Sequence, residues 1–92
     1  MKTIWKYPLH LCDSQSIAMH AGAQVLTVQP QGSERQLQVW ALVDPEADKV
    51  ERFFRIYGTG HEMSDDPGHY VGTFQIHDGA LVFHVFDSET PT

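Results

Sequence analysis

The chain has 92 residues, of which 41% are hydrophobic, and twelve acidic residues against six Lys and Arg give a formal net charge of −6. This length allows one domain with a single core, and the apolar content excludes a disordered chain. Direct nucleic-acid binding is disfavoured, because a polyanion is bound through Lys and Arg, which are few and dispersed here. The charge predicts either plain solubility or docking onto a basic surface.

The N-terminal residues and the cysteine content indicate where the protein is found. A single cysteine, Cys12, excludes an internal disulfide framework and fits a reducing compartment. Lys2, Lys6 and Pro8 interrupt the apolar residues at the start of the chain, so a signal-peptide core is absent. No stretch approaches the roughly 20 apolar residues of a membrane span. The sequence therefore predicts a cytoplasmic protein with no membrane partner.

Alternation of apolar and polar residues predicts seven strands. They are Thr3–Leu11, Gln15–His20, Ala23–Gln29, Arg35–Asp44, Val50–Tyr57, Tyr70–Ile76 and Ala80–Phe86. The first is expected at a sheet edge or with a bulge, because Pro8 cannot donate to a ladder. A helix that starts at Asp13 or Ser14 competes with the second strand, although Gly22 weighs against it. The seventh, apolar except for His84, is predicted to be the most buried.

Turn signals separate most of these strands. His77-Asp78-Gly79 predicts a hairpin through Asp-Gly, Pro30 is expected to end the third strand, and Gly58–Gly68 is a long polar loop. Asp87–Thr92 is predicted to be a frayed polar tail. The pattern indicates one all-β domain over residues 1–92, a compact and mostly antiparallel sandwich or small barrel of about six to seven strands.

The long loop holds two imidazoles and three carboxylates within nine residues: His61, Glu62, Asp65, Asp66 and His69. Such donors could bind a divalent metal if the loop folded back on itself. However, the HExx segment lacks the second histidine of a zinc protease, and the acidic spacing does not match a calcium loop. We therefore predict an acidic, turn-rich contact surface, with no metal and no cofactor.

The residues that could take part in catalysis also lack the neighbouring residues that such chemistry needs. Gly58-Thr59-Gly60 follows a strand, but no helix and no lysine complete a phosphate-binding loop. Cys12 has His10 and Asp13 nearby in sequence, but adjacent strand residues point to opposite faces. No G-x-S-x-G element occurs. We predict that the protein is not an enzyme.

Aromatic and histidine side chains offer a further indication of function. His84, between Phe83 and Val85, is expected to be a core or sheet-face histidine with its ring nitrogen satisfied. Six aromatic residues either close the ends of a sandwich or form an exposed patch that would mark a partner surface. These residues are Trp5, Tyr7, Trp40, Phe53, Tyr57 and Tyr70.

Five blocks, MKTIWKYPL, WALVDPEA, RIYGTGH, DDPGHYVGTFQ and GALVFHVF, resemble a family of small phage and prophage proteins described as a domain of unknown function. The similarity runs over nearly the whole chain and is weakest over Leu11–Glu34. The resemblance implies a compact β-rich domain of viral or mobile-element origin. It transfers no catalytic or binding residue. Small acidic phage proteins of this kind are often accessory proteins: some block a host defence factor, others sequester a signalling nucleotide, and others are minor virion or regulatory components.

The first functional hypothesis is a non-enzymatic phage accessory protein that binds and inhibits a host factor with a basic surface, a protein or ribonucleoprotein such as a defence complex targeted by anti-CRISPR proteins. The expected partner-binding residues are Glu46, Asp48, Glu51, Glu62, Asp65 and Asp66, with Tyr57 or Tyr70 as an aromatic anchor.

The second hypothesis is a small-molecule binder, of a nucleotide messenger for example, that uses Arg52 or Arg55 and an oligomer interface near Gly58–His69. The third is a virion or assembly protein whose exposed strand edges pair between copies.

Overall fold

The computed structural model describes residues 1–88, with Glu34 and Arg35 described by their backbone alone. Its strands are β1 (Thr3–Leu9), β2 (Ser14–His20), β3 (Gln24–Gln31), β4 (Ser33–Val43), β5 (Lys49–Gly58), β6 (His69–Ile76) and β7 (Leu81–Asp87). The segment that could have started a helix at Asp13 or Ser14 is β2, so the strand prediction is confirmed there. Within residues 1–88, no helix is long and apolar enough to cross a membrane.

The strands form two antiparallel sheets that share one core. One sheet has three strands in the order β1-β4-β3, and the other has four in the order β2-β5-β7-β6. Side chains from both sheets are packed in the interior with almost no exposed surface: Val39, Val43, Phe54, Ile76 and Val85. The thinnest extent of the chain is 15 Å, as expected of two sheets stacked about 10 Å apart. The predicted all-β class is confirmed, and the arrangement is a sandwich.

The three-stranded sheet follows its sequence pattern closely. Leu37, Val39, Ala41 and Val43 alternate along β4 and are all buried, because β4 lies between two neighbours and faces the second sheet. β1 occupies an edge, where Pro8 lies opposite Gln38, and an edge strand tolerates a residue that has no N–H. The edge prediction for β1 is therefore confirmed.

Gly72 marks the corner where the edge strands of the two sheets meet. A Cβ atom at Gly72 would lie 2.8 Å from Cγ1 of Val28, so only glycine lets β6 approach β3 this closely without displacing that side chain. An irregularity in register between Tyr70 and Gly72 bends β6 at the same point. The sandwich is thus closed along the side formed by β3 and β6.

Three predictions about strand ends and burial were wrong. β3 continues through Pro30 to Gln31 with an irregular register, which an edge strand tolerates. β7 is less buried than β4, because no further layer covers its outer face and Leu81 is 43% exposed. Asp87 is not part of a polar tail: it ends β7 and is buried, since Arg52 reaches it from β5. The remaining tail residues, 89–92, lie outside the described residues.

The predicted hairpin between β6 and β7 is confirmed. His77, Asp78 and Gly79 all have positive φ angles, of 53°, 55° and 88°. The N–H of Ala80 donates to the carbonyl of His77 at 3.0 Å, so the two central residues of this turn, Asp78 and Gly79, have the left-handed backbone of a type I′ turn. That turn matches the twist of the strands and sets their register.

Because of Tyr7, the free energy of unfolding of the domain is expected to fall at alkaline pH. Burial raises the pKa of the Tyr7 phenol above its ordinary value of about 10. As pH rises, the Tyr7 phenol therefore loses its proton in the unfolded chain before it does in the folded protein. The free energy of unfolding is unaffected by this proton below about pH 10, and it falls as pH rises through the raised pKa. We expect Tyr7→Phe to lose less free energy of unfolding than the wild type between about pH 9 and 11, as measured by urea denaturation.

The same variant has an expected effect at neutral pH. The Tyr7 hydroxyl is buried without a hydrogen-bond partner in the described part of the chain, so its removal should stabilise the fold by up to about 1 kcal/mol. Tyr70→Phe, at an exposed phenol, is the control for a general effect of tyrosine ionisation. Equal alkaline losses in the wild type and in Tyr7→Phe would contradict the prediction.

Candidate functional site

The polar loop over residues 59–68 joins β5 to β6 and crosses the position of β7, which lies between those two strands in the sheet. At its start, the N–H of Thr59 donates to the carbonyl of Val82 at 3.2 Å, and the N–H of His61 donates to that of Gly58 at 3.1 Å. The His61 ring lies so close to Gly58 that a Cβ atom there would be 2.7 Å from Cε1. The start of the loop is therefore held tightly against the sheet.

The end of the loop is held by a glycine. Gly68 has a φ of 94°, and a Cβ atom there would lie 2.2 Å from the carbonyl oxygen of Asp87 and 2.7 Å from Cα of Ser88. Both contacts are with backbone atoms, which cannot move aside as a flexible side chain would. Gly68 is thus required for the loop to return to the sheet beside the end of β7.

Between these two attachments the loop faces the solvent. Every residue from His61 to Asp66 is exposed, and one internal bond, from the N–H of Asp66 to Oγ of Ser64 at 3.1 Å, shapes the turn. The loop therefore presents the three predicted carboxylates, those of Glu62, Asp65 and Asp66, to water. We call residues 61–66 the acidic loop.

Tyr70 follows the acidic loop and is the more exposed of the two predicted aromatic anchors. Its side chain is 60% exposed, its ring packs edge-on against Phe86 at 5.6 Å, and its hydroxyl is 2.6 Å from Oγ1 of Thr73. Tyr57, the other predicted anchor, is 8% exposed and packs against the far side of the aromatic cluster, 5.8 Å from Phe86. In this structure Tyr57 is a supporting residue, and Tyr70 has the geometry of an anchor.

A chain of hydrogen bonds links Tyr70 to the start of the loop. Oγ1 of Thr73 is 2.9 Å from Nδ1 of His84, and Nε2 of His84 is 2.7 Å from Oγ1 of Thr59. One arrangement of protons satisfies every member: Tyr70 donates to Thr73, Thr73 to Nδ1, Nε2–H to Thr59, and Thr59 weakly to the carbonyl of Val82. Both ring nitrogens of His84 are bonded, which confirms the prediction of a satisfied sheet-face histidine.

The remaining predicted carboxylates form a separate group. Glu46, Asp48 and Glu51 are exposed in the turn before β5 and at the start of that strand, and the N–H of Glu46 is capped by Oδ1 of Asp44 at 3.1 Å. β5 has ten residues, so about 30 Å separates its start from its end, where Glu62 lies nearby. The structure therefore does not bring the six carboxylates into one patch.

A cleft of about 430 Å³ opens beside the first part of the acidic loop. It is lined by Leu11, Cys12, Asp13, Arg55, Ile56, Tyr57, Gly58, His61, Glu62 and Phe83. The guanidinium of Arg55 lies 5.9 Å from the centre of the Tyr57 ring, and the exposed thiol of Cys12 also lines the cleft. The Gln15 side chain holds the backbone beside Cys12 in place, because it exchanges hydrogen bonds with both backbone groups of His10.

The histidines and carboxylates of the loop do not assemble into a metal-binding cluster. Among residues 1–88, no three His, Cys, Asp or Glu side chains lie close enough together to hold a metal ion. The three carboxylates of the acidic loop are exposed to solvent.

The structure places two polar contacts in or beside the core, made by the buried His20 and by the partly buried Arg52, that no local sequence pattern indicates. His20 packs edge-on against Trp5 at 5.2 Å, and its Nδ1–H donates to the carbonyl of Ala47 at 2.6 Å. Arg52 pairs with Asp87 at 2.5 Å and also donates to the carbonyl of Ala23 at 2.7 Å. The partners lie 27 to 35 residues apart in the chain, a separation at which no local pattern can connect them.

The fold and the surface together define a small antiparallel β-sandwich domain that presents an acidic loop next to an exposed, supported tyrosine. The chain belongs to the family described as Domain of unknown function (DUF7352), whose model matches residues 1–92. No curated protein and no solved structure matches the chain.

Gly68 allows a direct test of how the loop is positioned. We expect Gly68→Ala to lower the free energy of unfolding by about 1–3 kcal/mol more than Gly60→Ala, as measured by urea denaturation. Gly60 is the matched control, because its φ of 85° imposes the same backbone strain while a Cβ there meets nothing within 4 Å. Equal losses in the two variants would show that Gly68 does not fasten the loop.

Proposed function

We propose that this domain is a non-enzymatic binding module that docks on a basic partner through the acidic loop and Tyr70. The observation that supports this most directly is an exposed aromatic ring, that of Tyr70, four residues after the last of three exposed carboxylates. Aromatic residues at the centre of an interface commonly supply most of the binding energy, and surrounding charges supply orientation and speed of encounter.

The support around Tyr70 favours binding because little freedom is lost when the ring is covered. Phe86 packs against the ring, and Thr73 holds its hydroxyl. Immobilising a flexible side chain at an interface costs about 0.5–1.5 kcal/mol, and a ring that is already held avoids part of that cost. The bond from His84 to Thr59 extends the same support to the residue that begins the loop.

The charge on the loop favours a partner rich in Lys and Arg. Glu62, Asp65 and Asp66 are all exposed, so their attraction for such a partner acts through water and is screened by salt. A surface that normally holds nucleic acid has this basic character. An acidic domain with a net charge of −6 is suited to occupy it in place of the nucleic acid.

For the biological role we propose a phage or prophage accessory protein that inhibits a host defence complex in the cytoplasm, as anti-CRISPR proteins do. This finer assignment rests on the resemblance of the sequence blocks to phage proteins and on the acidic surface. In a host that carries an active defence system, expression of the wild-type protein is expected to restore plaque formation by a phage that the system targets. Unchanged plaque numbers across defence systems would remove this role without removing the binding module.

The binding surface is tested by two variants of equal charge. Glu62→Gln/Asp65→Asn/Asp66→Asn changes the loop, and Glu46→Gln/Asp48→Asn/Glu51→Gln changes the separate group at the start of β5. Each takes the formal net charge from −6 to −3, since three acidic residues are neutralised. We expect the partner captured by the wild-type protein from host lysate to be lost with the first variant and kept with the second, as quantified by mass spectrometry.

Tyr70→Ala should weaken capture of the same partner by about tenfold or more, whereas Tyr70→Phe should have a smaller effect because the ring remains. Capture should also fall as salt is raised. Equal loss with both triple variants would show that total charge matters and the loop does not. Recovery of no specific partner by the wild-type protein at low salt would contradict the proposed function.

A second function is favoured by the cleft, whose lining includes Arg55 and His61 and whose volume is large enough for a small ligand. One of the two arginines predicted to meet a phosphate, Arg55, lines the cleft, and the other, Arg52, does not. A nucleotide messenger is the ligand class that this arrangement would suit, although Asp13 and Glu62 line the same cavity.

The cleft is tested with a panel of cyclic nucleotides in a thermal-shift assay. If it binds one of them, that nucleotide should raise the melting temperature of the wild-type protein and have little effect on Arg55→Gln. Lys6→Gln, at an exposed site away from the cleft, is the control for loss of one positive charge. The absence of any shift across the panel would remove this function.

A further inference from the structure

One edge of the four-stranded sheet is formed by β2, which pairs with β5 on one side only. The N–H of Ile56 donates to the carbonyl of Asp13 at 3.0 Å, and the N–H of Ala21 donates to the carbonyl of Asp48 at 2.7 Å. In an antiparallel ladder, pairs that exchange hydrogen bonds alternate with pairs that do not. The backbone N–H and C=O groups of the odd-numbered residues of β2 therefore point toward β5. The N–H and C=O groups of Ser16 and Ala18 therefore point away from the sheet. Within residues 1–88 these groups have no hydrogen-bond partner.

The other sheet edges are protected, and β2 is not. β1 carries Lys6 and Pro8, and β3 and β6 lie against each other at the contact between Gly72 and Val28. β2 has the sequence SQSIAMH, with no proline, no Asp, Glu, Lys or Arg, and an uninterrupted register along all seven residues. Natural proteins usually block such an edge with charge, proline or a bulge, because unpaired backbone groups invite another strand.

We propose that β2 pairs with β2 of a second copy of this chain, antiparallel and about a two-fold axis at Ile17. In this register Ser16 lies opposite Ala18 of the second copy, so each donates its free N–H to the free carbonyl of the other. Ser14 lies opposite His20 in this register, but the carbonyls of both residues already accept bonds within the chain, from Ala23 N–H to His20 and from Cys12 Sγ to Ser14, so the pairing centres on Ser16 and Ala18. The strand is therefore self-complementary, as a two-fold interface requires.

Charge and side-chain size also favour a second copy as the occupant. Two chains of net charge −6 repel each other in general, but β2 places no charged residue opposite another across the axis. On the outer face, Ser16 and Ala18 are small and exposed, so they do not obstruct the approach. On the core face, the half-buried Ile17 would meet its symmetry mate and extend the apolar core across the interface.

The arrangement has a consequence for binding. The strand order β2-β5-β7-β6 places Tyr70, on β6, at the opposite edge of the sheet from β2. A dimer through β2 would leave Tyr70 of both copies open to solvent. It would present two identical surfaces at the far ends of one continuous sheet, which is the geometry of a bivalent binder.

The test is the mass in solution, measured by sedimentation equilibrium over a wide range of concentration. We expect the wild-type chain to form a species of twice 10.4 kDa, and Ala18→Pro to raise the dimer dissociation constant roughly tenfold or more. Proline removes the outward N–H but no bond to β5, so the fold of the protomer should survive, as checked by circular dichroism. Ala18→Thr keeps the N–H and is expected to dimerise like the wild type.

Hydrogen exchange supplies a second readout. Exchange in a peptide covering residues 14–20 should slow as the protein is concentrated, whereas a peptide covering the acidic loop should not change. If Ala18→Pro fails to fold, Ser16→Lys/Ala18→Lys takes its place, because it puts like charges opposite each other across the axis and leaves the backbone unchanged. A wild-type monomer at millimolar concentration, or a dimer that survives these substitutions, would overturn the proposal.

Discussion

The guanidinium of Arg52 ties together three strands from the two sheets. It pairs with Asp87 at the end of β7 and donates to the carbonyl of Ala23 just before β3. The side chains of Arg52 and Asp87 are 19% and 5% exposed. Removal of either one would leave the other charge unpaired and largely shielded from water, which would lower the free energy of unfolding by about 3–5 kcal/mol. That is a large share of the roughly 5–15 kcal/mol by which a typical domain is stable. The relative position of the sheets at this end of the sandwich depends on this contact.

The candidate binding surface is built outward from the same place. Asp87 is held by Arg52, and the backbone beside Asp87 is the surface against which Gly68 closes the loop. From there β6 carries Tyr70 to Phe86, and the bonded chain through Thr73 and His84 returns to Thr59 at the other end of the loop. The loop is thus fastened at both ends by contacts that share one sheet, and its exposed middle holds the carboxylates.

Much of the fold could be predicted from the sequence because its signals are local. Alternation along β4, Pro8 in an edge strand and the Asp-Gly turn after His77 each act over a few residues, and each prediction is confirmed. Local composition predicts a polar tail at Asp87, and the structure differs because the partner of Asp87, Arg52, lies 35 residues away in the chain. No local pattern indicates that a carboxylate at the end of a strand will be buried.

The candidate site shows the same division between local and long-range information. The sequence correctly indicates that the loop is polar and acidic, because composition alone determines that its side chains are solvated. The sequence does not distinguish Tyr57 from Tyr70, since Tyr57 lies just before the loop and Tyr70 just after it, each near the end of a strand. Their difference in exposure arises from the sheet order, which places Tyr57 on a central strand and Tyr70 on an edge. Strand order depends on contacts between residues far apart in the chain.

The acidic loop and the cleft are physically connected, because His61 and Glu62 belong to both. A ligand seated against Arg55 and Tyr57 would touch the first residues of the loop and restrict them. Its binding would therefore be coupled to any partner that the carboxylates and Tyr70 engage, and the coupling would act equally in both directions. The two proposed functions are therefore geometrically compatible. One side of the loop could contact a small ligand in the cleft while its exposed side contacts a protein.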